Sequence, residues 1–251
     1  MSSIGVSCIV FACLSAGSIL GMILRVSLPK HHLDDDSKTS VQLGMALIST
    51  MSALVLGLLV SSAKSSYDTQ SAELTATSAQ VLLLDSVLSR YGTESQDARA
   101  LLRKTVETAL TTMWSTEHRS KVRLGAPSHS SETIFEKIQD LTPKDENQRN
   151  LKVQALSILE GIRQMRWLQY EQQTNSVPIP LLVILVSWLT MLFVGLGMFA
   201  PANGTVITSL VVSQFAVSAA ILLILEFYTP YGGLIEVSSA PLRAALEQLG
   251  K

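Results

Sequence analysis

Four stretches of the chain, residues 4–24, 41–63, 179–199 and 205–225, are apolar and carry no charged side chain. A bilayer's hydrocarbon core is about 30 Å thick, and roughly 20 helical residues cross it. Backbone at that depth must satisfy its own hydrogen bonds, which leaves helices as the structure available to isolated runs of this length. The first run has no basic segment before it and exceeds the length of a signal-peptide core, so it reads as a span. Charged residues make up only 16% of the chain, against roughly a quarter in soluble domains. An integral membrane protein with four transmembrane helices is therefore expected.

The expected organisation is a first hairpin of spans (1–63), a helical domain (64–177), a second hairpin (178–228), and an interfacial turn with a C-terminal helix (229–251). Four spans place both termini and the long middle segment on one side. Basic residues near the span ends number four against three (Lys64, Arg163, Arg166 and Arg243; Arg25, Lys30 and Lys38), so charge bias does not choose the side.

The middle segment carries helical periodicity and no useful strand alternation. No proline or glycine interrupts residues 64–91, so the second span is expected to run on as one helix until Gly92 ends it. Ala98, Leu101, Leu102, Val106, Ala109, Leu110 and Met113 recur at steps of three and four, as on one helix face. Ile134, Phe135, Ile138 and Leu141 form a shorter repeat. Thr142-Pro143 reads as the N-cap and first residue of a longer helix. Its buried stripe is Leu151, Ala155, Ile158, Leu159, Ile162 and Met165, leading toward the third span. The fold class is all-α, with an antiparallel helical bundle continuing from the second span and into the third.

Nothing in the sequence assembles a catalytic set. HExxH, CxxC and glycine-rich phosphate loops are absent, and neither enzyme activity, metal nor cofactor is expected. The net charge of −1 offers no field for nucleic acid. Cys8 and Cys13 lie five apart in one helical run and are not placed to form a disulfide. His31-His32-Leu33-Asp34-Asp35-Asp36 reads as a solvated loop between spans. Asn203-Gly204-Thr205 has the form of a glycosylation acceptor and reads as a turn.

The second span is the most informative. On a helix, Gln42, Ala46, Ser49, Ala53 and Gly57 form one stripe with Ser52 beside it, and Leu47, Met51, Leu54 and Leu58 lie opposite. Small residues serve close helix packing in membranes; the same stripe, with its hydroxyls and amide, also suits the wall of a hydrated path. A path would need several copies of the chain around the second span. The fourth span has a related stripe of Ser209, Ser213, Ala216 and Ala220, and the first contains a GxxxG pair, Gly17 and Gly21. Arg119, Lys121 and Arg123 make the one compact basic patch, readable as a solvated loop or as a contact for anionic lipid.

The fourth span closes on Glu226, two aromatics, Pro230 and the pair Gly232-Gly233. Alone, these read as an interfacial stop and turn. Arg243 and Arg166 are the cations expected to pair with Glu226. The segment LILEFYTPYGGLIEVSSAPLRAAL (223–246) also resembles the closing signature of the bestrophin-like family of small four-span membrane proteins. AKSSYD (63–68), LLLDSVLSRYG (82–92) and SWLTMLFVGLGMFAPANGT (187–205) are similar to it as well. One departure is Tyr228, where the family often has an acid. The resemblance implies a plasma-membrane protein with cytosolic helices and termini, and by the family name an anion channel. True bestrophins narrow their pore with bulky apolar and aromatic side chains, and the second span here has no such cluster. The functional expectation is an oligomeric ion channel whose partners are the bilayer, inorganic ions and copies of itself. A non-conducting scaffold whose helical bundle recruits a partner is the alternative.

Overall fold

A computed structural model describes residues 2–27, 35–114, 129–174, 178–199, 201 and 203–250, and among these there is no strand. The helices are α1 (Ser3–Ser27), α2 (Asp35–Tyr91), α3 (Gln96–Met113), α4 (His129–Gln139), α5 (Glu146–Thr174), α6 (Ile179–Phe199), α7 (Gly204–Phe227) and α8 (Ala240–Gln248). Four of them, α1, α2, α6 and α7, are long and apolar enough to cross a membrane. The chain divides into two compact units: Met1–Ser66 with Ser176–Tyr228, and Tyr67–Asn175 with Thr229–Lys251.

In the first unit α1 packs along α6 through glycine. A Cβ on Gly21 would run into the Val194 carbonyl, and one on Gly197 into the Ser18 carbonyl. Backbone thus meets backbone, the arrangement small residues permit in apolar surroundings. Polar side chains join α1 to α7: Ser7 Oγ donates to the Ser218 carbonyl at 2.7 Å, and Ser15 Oγ to Gln214 Oε1 at 2.9 Å. Gln214 Nε2 completes the set by donating to Ser18 Oγ at 2.6 Å. Gln214 is only 2% exposed, and these bonds are what make an amide tolerable there. Asn203 caps α7, its Oδ1 accepting from Val206 N at 3.1 Å, so the acceptor-like sequence opens a helix, with Gly204 and Thr205 in its first turn, where a turn was expected.

The second unit is built on the later part of α2, and α3, α4, α5 and α8 share its apolar core, which includes Leu84, Leu88, Leu102, Ile138 and Leu159. α2 continues without interruption to Tyr91. Gly92, at φ 122°, ends it in a conformation that L side chains rarely adopt. Ser95 Oγ and Gln148 Nε2 donate to carbonyls of its last turn (Leu88 and Tyr91) at 2.5 and 2.9 Å.

The start of α5 corrects the expectation from Thr142-Pro143. The helix begins at Glu146, and Asp145 Oδ1 accepts from Gln148 N at 2.7 Å. Gln148 is also drawn to the Tyr91 carbonyl, and its Oε1 accepts from Lys144 N at 2.8 Å. Those bonds hold Lys144 just outside the helix, and aspartate outranks threonine as a cap. At the far end of α4, Lys152 Nζ donates to the Gln139 and Leu141 carbonyls at 2.6 and 2.9 Å.

Candidate pore face and signature loop

The membrane part of α2 has three faces. Met45, Ile48, Ser52, Leu59 and Ala63 turn toward neighbouring helices of the unit; Ser52, Leu59 and Ala63 are buried, and Met45 fills the space beside Gly195. Gln42, Ala46, Ser49, Ala53 and Gly57 are exposed together, and a Cβ on Gly57 would meet open space. Leu47, Met51, Leu54 and Leu58 form a third, bulky face, also exposed. Ser52, by contrast, is 3% exposed and turned toward the neighbouring helices of its unit. Of the fourth-span stripe, Ser209, Ser213 and Ala216 are exposed and Ala220 is half-buried, while Gln214 beside it turns inward to α1.

At the end of α7 the carboxylate of Glu226 is buried, 4% exposed, rather than opening to water. Ser62 and Tyr228 approach through their hydroxyls at 3.4 Å. The chain then enters the loop 229–239. Val237 N donates to the Pro230 carbonyl at 2.9 Å, closing the loop, and Gly232 N donates to the Thr229 carbonyl at 3.4 Å. Tyr67 Oη donates to the Glu236 carbonyl at 3.1 Å, and Trp114 Nε1 to the Val237 carbonyl at 3.0 Å.

Tyr231 is 5% exposed. It packs in the apolar core of the second unit, edge-on to Trp114 with ring centroids 5.9 Å apart. Burial, with a smaller contribution from Glu73, pushes its hydroxyl up to about 12. Pro230 is buried, Gly232 and Gly233 are half-buried, and Arg243 is exposed on α8. Arg166 is half-buried and makes no ion pair or hydrogen bond with a described residue. Arg119, Lys121 and Arg123, and the histidine pair His31-His32, lie outside the described residues. Among the described residues no group of three or more His, Cys, Asp or Glu is placed to hold a metal.

Sequence reasoning missed the ion pair of Asp85 with Arg99, in which both carboxylate oxygens are engaged at 2.7 and 2.9 Å. The two are 14 residues apart across the Gly92 turn, and only the antiparallel meeting of α2 and α3 reveals them. Gly250 N also reaches Asp85 Oδ2 at 3.3 Å, and Arg103 Nη1 donates to the Leu249 carbonyl at 2.9 Å.

These features define an all-helical membrane protein whose fourth apolar helix leads into a closed, core-anchored loop. The sequence matches the bestrophin-like domain over residues 12–242, and the chain belongs to the bestrophin-like family. Among solved structures it is similar to a point mutant of a bacterial bestrophin homolog from Klebsiella pneumoniae. The TM-score is 0.56 at 16% identity, over 94% of this chain and 96% of that one. At that identity the likeness speaks for the fold. No curated protein matches the sequence at a significant level.

Proposed function

We propose that the chain is one subunit of an oligomeric membrane ion channel in which the small face of α2 lines the path. The observation that carries this is the incomplete burial of α2. Only 11% of its apolar window is buried, against 28–39% for the other three spans. Two unlike exposed faces remain. Leu47, Met51, Leu54 and Leu58 suit lipid chains. Gln42, Ala46, Ser49, Ala53 and Gly57 offer little apolar bulk to lipid, and suit a neighbouring copy or water. Family membership supports conduction over packing alone, and the family name favours anions. The protein resides in the plasma membrane, with the termini and the second unit in the cytosol.

Recording currents from purified protein in planar bilayers tests this reading, in a background lacking Cys8 and Cys13. Ser49→Leu dewets a path and abolishes current while the oligomer stays intact, whereas in a packing seam it breaks the oligomer. Ser49→Cys reacts with small charged thiol reagents only if the face is wet. Absence of current under every ion gradient, with Ser49→Cys inert and the oligomer intact, leaves the scaffold reading instead. Topology is read by labelling Ser89→Cys and Thr205→Cys in intact cells: an impermeant reagent reaches position 205 and not position 89.

A further inference from the structure

The inner face of α5 changes character along its length. Ala155, Leu159 and Ile162 are buried in the apolar core of the second unit, at steps of four and three. The next positions in that series are Arg166 and Gln169, which stand four and seven residues beyond Ile162 on the same face. An apolar stripe that ends in a guanidinium and an amide has replaced packing atoms with hydrogen-bond donors.

Those donors find no acceptor among the described residues. Gln169 is 7% exposed, and its Nε2 has no hydrogen-bond partner among the described residues. Arg166 is half-buried and has no ion pair or hydrogen bond with any described residue. Burial pulls its guanidinium below the ordinary range, and no carboxylate among the described residues opposes that pull. Arginine remains charged even so. A desolvated cation without a counter-charge is among the costliest arrangements inside a protein, and an unsatisfied amide N–H adds to that cost.

We propose that Arg166 and Gln169 form a binding site for a small inorganic anion in the second unit, outside the membrane spans. The guanidinium supplies charge and several N–H donors, the Gln169 amide supplies another, and Ile162 with its core neighbours keeps water from competing. The partial exposure of Arg166 leaves the anion a way in. The site does not depend on the channel reading, since it is assigned from donors in the helical unit and is read out by stability rather than by current.

The test uses the purified full-length protein in an uncharged detergent. Thermal unfolding is followed as gluconate is replaced by chloride at constant ionic strength, and again with inorganic phosphate. An anion that binds the folded state raises the midpoint with its concentration, and a saturable rise of several degrees is expected. Arg166→Met should abolish the rise while leaving the anion-free midpoint equal or higher, because it removes an unpaired charge from an apolar stripe. Arg166→Lys should keep part of the rise, and Gln169→Leu should move it to higher anion concentration. An unchanged rise in Arg166→Met, or no rise in the parent protein, overturns the proposal. A rise that occurs only when anionic phospholipid is added assigns the site to a lipid headgroup and overturns the inorganic ligand. Loss of assembly in Arg166→Met without any anion effect assigns the arginine to a carboxylate of a second copy, which overturns it too.

Discussion

Arg99 holds both oxygens of Asp85, Nε to Oδ1 at 2.7 Å and Nη2 to Oδ2 at 2.9 Å. The carboxylate side chain is 8% exposed, so the pair is screened from water, and the Asp85 bonds hold the guanidinium above its ordinary value. Arg99→Met leaves the acid buried without its counter-charge, with only the Gly250 N–H still reaching it, and should cost about 3–5 kcal/mol in the second unit. Arg149→Met, which breaks the solvent-exposed pair with Glu146, should change stability by less than about 1 kcal/mol. Denaturant unfolding of the two variants side by side checks the contrast.

The glycine seam of α1 and α6 gives a second prediction. Gly21→Ala inserts a methyl where the Val194 carbonyl already stands, and the helices must separate. A loss of about 1–3 kcal/mol or more is expected. Gly57→Ala adds the same methyl into open space and should leave the isolated subunit unchanged or slightly firmer, by about 0.5–1 kcal/mol. Thermal unfolding in detergent separates them, and an equal effect at both positions would count against the seam.

Tyr231 predicts an alkaline limb. Burial holds its hydroxyl up at about 12 in the folded protein, against 10.0 when free. Below about pH 10 both states hold the proton and the full stability is present. Between about 10 and 12 only the unfolded chain releases it, so stability falls with rising pH, by up to roughly 2–3 kcal/mol. Tyr231→Phe should flatten that limb. Because the buried hydroxyl has no hydrogen-bond partner, the same variant should be neutral or stabilising at pH 7. Unfolding midpoints of both proteins from pH 7 to 12 decide it.

Glu226 is buried at the last turn of α7, and a carboxylate so placed requires compensation from its surroundings. Glu226→Gln keeps the shape and removes the charge. A loss of about 1–3 kcal/mol is expected at neutral pH. Unchanged melting and unchanged oligomer yield would reduce Glu226 to a span terminator.

What the sequence conveyed followed from how local each signal was. The four spans are uncharged runs, the end of α2 is one glycine, and the Gly17–Gly21 pair is a single helix face; each was readable without knowing what lay opposite. Three features depended on distant residues. Asp145 rather than Thr142 caps α5 because Gln148 is held to the Tyr91 carbonyl, 57 residues earlier. Tyr231 sits among aromatics that look interfacial, yet Trp114 and Tyr67 draw its loop into a core. Ser49 and Ser52 look equivalent in the sequence. The packing of α2 on its neighbours turns one outward and the other in. For the candidate pore face, five of the six residues named from the sequence share an exposed surface of α2, and the sixth, Ser52, is buried.

The backbone contact between α1 and α6 also has a consequence for motion. Helices in a bilayer are formed before they associate, so the entropy glycine loses on becoming helical is already spent when the two meet. A contact made at Gly21 and Gly197 then freezes few side-chain rotamers, the term that usually opposes close association. The pair should therefore behave as a nearly rigid body on the nanosecond scale. α2 meets α6 through the long, unbranched side chain of Met45, which has several rotatable bonds and a soft sulfur. Thermal freedom within the membrane unit is thus expected to collect in α2, the helix that carries the exposed small face.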